Sequence, residues 1–183
     1  GGVLDMAKVA GNENALLAIF LVMIIGFGCK AGMMPLQAWL PTAHPVAPAP
    51  ASAVLSGIIT KAGILGMIRV TFYLFNPDFL RGTWAQLTII ILALATVFVG
   101  SMLAYKEQLL KKRLAYSTVS QVSYVIFGIM ILTPQGLSGA LLQVIFHAIA
   151  KNALFLAAGA IIYKTGAIYV KDLKGMGKKM PIV

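Results

Sequence analysis

Three lysines, Lys30, Lys61 and Lys151, lie inside long apolar runs that read as membrane-spanning. Lys61 follows Ala-Val-Leu-Ser-Gly-Ile-Ile-Thr, and Lys151 follows Val-Ile-Phe-His-Ala-Ile-Ala. A charged side chain near the bilayer centre costs about 2.5–3.5 kcal/mol on insertion scales. Three of them therefore point to a proton or ion pathway, the usual role of ionisable groups at that depth. Gln143, His147 and Lys151 follow one another at i, i+4 and i+8, so they share a helix face. Histidine passes protons between its two nitrogens, and a Gln–His–Lys row with bridging waters can form part of a proton wire. Ser117, Gln121 and Tyr124 make a second row at i, i+4 and i+7, with Ser120 and Ser123 beside it. This row suits channel lining and interhelical hydrogen bonding equally.

All five acidic residues, Asp5, Glu13, Asp78, Glu107 and Asp172, fall in expected loops or flanks. No carboxylate within the spans can pair with the lysines. Either they switch charge unpaired, or another part of the protein supplies an acid. The single cysteine, Cys29, cannot form an internal disulfide and reads as a small apolar residue. No Cys/His metal pattern, phosphate loop, nucleophile–base arrangement or cofactor-binding motif is present, so no cofactor is expected.

Positioning these groups requires a membrane. Apolar residues make up 60% of the 183 and charged ones 11%, with a mean hydropathy of +0.90. Soluble domains are about 45–50% apolar and about 25% charged. The expected class is all-α integral membrane. Five apolar segments could each cross about 30 Å of hydrocarbon: residues 14–34, 49–75, 84–105, 113–132 and 138–163. Pro35 and Pro41 should break the first helix, and Lys30 lies just before that break. Such breaks are tolerated where they are buried or line a watery cavity. Pro45, Pro48 and Pro50, following His44, read as loop.

The net charge of +10 reflects membrane topology and not nucleic-acid binding. Lys106, Lys111, Lys112 and Arg113 cluster between the third and fourth segments, and Lys164, Lys171, Lys174, Lys178 and Lys179 follow the fifth. The positive-inside rule puts 105–113 and 164–183 in the cytoplasm and 133–137 outside. The chain opens Gly-Gly-Val-Leu-Asp without Met and closes on Met-Pro-Ile-Val where another apolar segment could begin. It is expected to be an internal piece of a larger protein.

The run Lys30-Ala-Gly-Met-Met-Pro-Leu-Gln-Ala-Trp-Leu-Pro-Thr-Ala-His44 resembles the K-x-x-x-x-P-L-x-x-W-L-P-x-A-H pattern of the antiporter-like membrane subunits. These belong to respiratory complex I, membrane-bound hydrogenases and Mrp-type sodium/proton antiporters. Three more stretches are similar to that family and in its order: 49–63 through Lys61, Lys112 to Tyr124, and His147 onward through Lys151. The wording of 112–179 looks nearest the D-like branch of the Mrp antiporters.

The resemblance implies a larger bundle with two inverted repeats of five helices, of which this chain would carry the junction. It makes Lys30 the lysine at the broken helix and Lys61 the connecting lysine. His147 and Lys151 would continue a hydrated polar axis, with Gln143 beside them and His44, Ser117, Gln121 and Tyr124 as lining residues. It further implies that the glutamate pairing with Lys30 and the second broken helix lie beyond this chain. The expected function is proton or Na+/H+ translocation within a multi-subunit complex of the cell inner membrane. The expected partners are other membrane subunits, lipid, protons and, alternatively, Na+. The rival reading is a structural membrane scaffold without an active channel. No residue separates electron transfer from cation exchange as the driver.

Overall fold

The structure, a computed structural model, describes residues 11–180. Among these residues every regular element is helical, apart from one isolated antiparallel bridge between Leu109 and Tyr169. The long elements are α1 (Glu13–Ala31), α3 (Ala49–Phe75), α5 (Trp84–Lys106), α6 (Leu110–Met130) and α7 (Pro134–Thr165), with the short helices α2 (Trp39–Val46) and α4 (Pro77–Leu80) between them.

The first helix breaks where the prolines suggest. Gly32 takes a left-handed conformation (φ 90°) and its N–H bonds back to the Gly28 and Cys29 carbonyls, ending α1. Lys30 sits in that last turn, where the helix dipole favours a cation. The connecting segment is anchored at both ends. Trp39 Nε1 donates to the Cys29 carbonyl at 2.8 Å, and Thr96 Oγ1 of α5 accepts from the Met34 amide at 3.1 Å.

The loop expected from His44 to Pro50 is largely helix. α2 continues through Pro45 to Val46, and α3 starts at Ala49. Pro41 and Pro50 lie in first turns, where amide N–H groups have no intrahelical partner to lose. Pro45 removes one bond a single residue before α2 ends. Only Ala47 and Pro48 remain between the two helices.

α3 is not a uniform α-helix. It widens to π-helix at Leu55–Ile59 and again at Val70–Phe75. Thr83 and Thr133 cap α5 and α7 by accepting the Gln86 and Gly136 amides, and Pro134 occupies the first turn of α7.

Four helices, α1, α3, α5 and α7, are long and apolar enough to cross a membrane. The fourth expected segment, 113–132, forms α6, which is long enough but too polar to qualify. Its packing explains why. α6 touches α2, α3, α5 and α7 and buries ten residues from Ala115 to Met130. A helix covered by protein need not be apolar on its outside. α5 and α7 instead present Ile91, Phe98, Phe146 and Ile149 outward, as lipid-facing surfaces do. Tyr105 and Tyr163 stand exposed at one end of the bundle, and Tyr73 and Trp84 at the other, the positions favoured for aromatic residues at the two membrane interfaces.

The Tyr105 end is tied by a small clasp. Leu110 N–H donates to the Ile168 carbonyl at 3.0 Å, and Val170 N–H to the Gln108 carbonyl at 2.9 Å. Glu107 accepts from the Gln108 and Leu109 amides and pairs with Lys112 at 3.0 Å. Burial opposes its ionisation, but the Lys112 hydrogen bond and the two amides together hold its carboxyl below the usual carboxylate range.

Candidate functional site

The polar groups inside the bundle converge where α3, α6 and α7 meet. Lys151 is 3% exposed and His147 5%, so α7 turns its ionisable face inward, away from the side that carries Ile145 and Ile149. Lys61 on α3 is half-buried. Its Nζ lies 2.9 Å from His147 Nδ1 and also donates to the Ser56 carbonyl.

The π segment explains that second contact. Residues five apart lie on different faces of an α-helix with 3.6 residues per turn. The wider π turn brings Ser56 and Lys61 to one side, and the Thr60 N–H reaches back to Leu55. The Ser56 carbonyl is then shared by Thr60 Oγ1, at 3.1 Å, and Lys61 Nζ.

From Ser56 a chain of hydrogen bonds crosses to α6 and returns to α7. Ser56 Oγ and Thr118 Oγ1 are 2.7 Å apart. Thr118 Oγ1 donates to the Leu114 carbonyl at 3.1 Å, and Lys151 Nζ donates to the same carbonyl at 3.1 Å. Lys61 and Lys151 are thus linked without touching, through two hydroxyl groups and two carbonyls. Ser56, Thr118 and Leu114 do not stand out in the sequence, where a hydroxyl or a backbone carbonyl in an apolar run carries no signal of its own. The helices come close at this level because Gly57 has no side chain. A Cβ there would run into the Asn152 amide of α7.

The other expected residues have different surroundings. Gln143 donates to Gln121 Oε1 at 2.6 Å, so those two meet across α6 and α7. Tyr124 is 47% exposed and lies on the outer rim. Ser117 is half-buried, and its neighbour Thr118, fully buried, is the α6 residue in the lysine network. Thr118, and not Ser117, is thus the α6 hydroxyl bonded into the lysine network, while Gln121 meets the polar face of α7 through Gln143.

His44 is in helix α2, not in a loop. It is fully buried and stacked on Phe155 at 4.6 Å between ring centroids, with an interplanar angle of 15°. Its carbonyl accepts from Ser52 Oγ at 3.1 Å. Among the described residues its two ring nitrogens have no hydrogen-bond partner, and neither has His147 Nε2. Near His44, Lys111 Nζ donates to the Ala47 carbonyl at 2.8 Å.

Lys30 is exposed at the end of α1 and makes no hydrogen bond or ion pair among the described residues. It is not part of the Lys61–Lys151 network. No group of three or more His, Cys, Asp or Glu side chains that could hold a metal occurs among the described residues.

A chemistry follows from these distances. Facing a protonated Lys61, His147 Nδ1 must accept, which leaves its proton on Nε2. If Lys61 passes its proton to Nδ1, the ring can release the other from Nε2. Ser56 and Thr118 hydroxyls can rotate and exchange donor for acceptor roles, which carbonyls cannot.

The family model described as NADH:quinone oxidoreductase/Mrp antiporter, TM, matches residues 2–183. Hydrogenase-4 component B of Escherichia coli is 39% identical over 98% of this chain and 29% of its own length. NADH-quinone oxidoreductase subunit N of Desulforudis audaxviator is 33% identical over 99% of this chain and 37% of its own. Among solved structures, the archaeal membrane-bound sulfane sulfur reductase complex has a chain matching with TM-score 0.82 and 34% identity, over 92% of this chain and 29% of that one. The Mrp complex of Dietzia sp. DQ12-45-1b matches with TM-score 0.76 and 29% identity, over 84% and 28%. The chain spans roughly a third of these relatives' length. With the match running over nearly every residue, the chain belongs to the NADH:quinone oxidoreductase/Mrp antiporter transmembrane family.

Proposed function

We propose that this chain is part of a membrane subunit that moves protons, or exchanges Na+ for protons, within a multi-subunit complex of the cell inner membrane. The ionisable side chains Lys61, His147 and Lys151 change protonation in sequence along a hydrated polar axis, on which Ser56, Thr118 and the Leu114 carbonyl hold the two lysines in place. Five segments cross the bilayer, with α6 shielded from lipid by its neighbours. Gln143 adjoins the axis, and His44 lines it. Lys30, at the helix break, faces an acid supplied from outside this chain.

The observation that carries this reading is the convergence of Lys61, His147 and Lys151 on one buried polar cluster, with the Lys61–His147 contact and the Ser56–Thr118–Leu114 hydrogen bonds between the lysines and no carboxylate among them. A scaffold would be more stable with apolar side chains there, because buried charges oppose insertion. The relatives support a subunit role, since their names and titles describe a hydrogenase component, a quinone oxidoreductase subunit, and Mrp and respiratory complexes.

The test uses the intact complex in sealed vesicles, with a pH-sensitive dye reporting proton movement. Lys151→Leu should assemble in normal amount and lose at least about ten-fold in proton movement, about 1.4 kcal/mol of barrier. Lys30→Ala should show a loss of similar size. Normal proton movement in an assembled Lys151→Leu complex would favour the scaffold reading.

A further inference from the structure

We infer that the groove between α6 and α7 is a water-access route to His147 from the 131–136 end of the bundle, gated by the Gln121–Gln143 hydrogen bond. This rests on the proton-moving role of the axis. The groove has a volume of about 460 Å³ and is lined by Gln121, Tyr124, Gln135, Gly139 and Gln143, among others. Its polar residues run along one face. Gln135 is in the first turn of α7, beside the turn that joins it to α6. Gln143 lies eight residues further, about 12 Å deeper at 1.5 Å per residue, and His147 about 6 Å beyond that.

Three independent features agree on this route. First, Gly139 leaves the space open, since a Cβ there would meet nothing within 4 Å. The helices instead make contact at Gly128 and Gly136, where a Cβ on Gly136 would come within 2.7 Å of the Gly128 carbonyl. Second, the deep end of the groove is closed by two amides, Gln143 Nε2 donating to Gln121 Oε1 at 2.6 Å. Amides hold donors and acceptors but do not titrate, so this pair can hand water through without trapping charge. Third, one helical turn further in, His147 is 95% buried with its Nε2 unbonded among the described residues, while Nδ1 engages Lys61. That nitrogen is the one a proton would leave by, and Gln143, four residues earlier, shares its helix face. The side of α7 turned away from Gln143 presents Ile145 and Ile149.

The experiment uses the assembled complex in a Cys29→Ser background, with one cysteine placed at Gly139 or, as a lipid-side control, at Ile145. The probe is a cationic, water-borne methanethiosulfonate. Gly139→Cys should react at least ten-fold faster than Ile145→Cys. Reaction after assembly should cut proton movement at least five-fold, and a thiol reductant should restore it. Changing Gln121 to alanine, which releases Gln143, should raise proton movement without altering the reactivity of Gly139→Cys, which lies outside the gate. Equal rates at Gly139 and Ile145 would show the groove to be filled by lipid or another helix, and would overturn the proposal. So would full proton movement in a completely modified Gly139→Cys complex. If that second result appears while Lys151→Leu remains defective, the axis stands and only the route fails. Normal proton movement in both removes the axis as well.

Discussion

Changing Lys61 to arginine is expected to leave an assembled complex that moves protons at under about a tenth of the normal rate, a loss of at least about 1.4 kcal/mol in the barrier. The reason lies in what each side chain can release. Lys61 Nζ lies 2.9 Å from His147 Nδ1 and donates to the Ser56 carbonyl. Arginine can preserve the positive charge and supply more donors, so a purely structural cation at this position would tolerate it. Arginine does not give up its proton in proteins, so a relay through this position would stop. Lys61→His retains a titratable group and should recover part of the rate. Measuring assembly yield beside proton movement separates a packing fault from a lost proton step. Near-normal transport in the arginine variant would show that Lys61 need not deprotonate.

The second large effect concerns packing. Gly63→Leu should prevent stable assembly, while Gly26→Leu should not. α1 and α3 cross at Gly63, where a Cβ would stand 2.7 Å from the Phe27 carbonyl oxygen and 3.0 Å from the Ala31 amide nitrogen. Both are backbone atoms of α1 and cannot swing aside. Close crossing at a small residue is how membrane helices gain packing without a hydrophobic drive. Overpacking typically costs about 1–3 kcal/mol, and here the clash would part α1 from α3 and shift the helix that holds Lys61. At Gly26 a Cβ meets nothing within 4 Å. Comparing the two variants by subunit content in purified membranes checks this, with equal content contradicting it.

Much of this arrangement is legible in the sequence, and the exceptions have physical causes. Lys61, His147 and Lys151 stand out because charge in an apolar run is costly, and the i, i+4 spacing of His147 and Lys151 already puts them on one inward face. The break after Lys30 is announced by Pro35 and Pro41, while the structure shows Gly32 to be the residue that ends the helix. The Lys61–Ser56 contact is not readable from a 3.6-residue period, since a π segment creates it, and no residue pattern between Leu55 and Ile59 announces that segment. In the row Ser117, Gln121, Tyr124, Gln121 meets Gln143 on the lysine-bearing helix, but the hydroxyl bonded into the lysine network is that of Thr118. Thr118 faces the lysines because α6 is packed on several sides, and helical spacing alone cannot rank polar faces on such a helix. The prolines clustered after His44 suggest a loop, yet each falls where a helix end can absorb it. Residues 113–132 read as a crossing segment in the sequence, yet α6 is more polar than the four candidate spans, as a helix largely covered by its neighbours can be.

Proton movement by the assembled complex carrying Lys61→Ala, Lys151→Ala or both is the most direct test of a single shared path. Consecutive steps of one route fail together, so their losses do not add. The double variant should move protons within about two-fold of the slower single variant, with normal assembly in all three. A double variant slowed by the full product of the two single losses, or single variants with normal transport, would contradict a proton path running from Lys61 to Lys151.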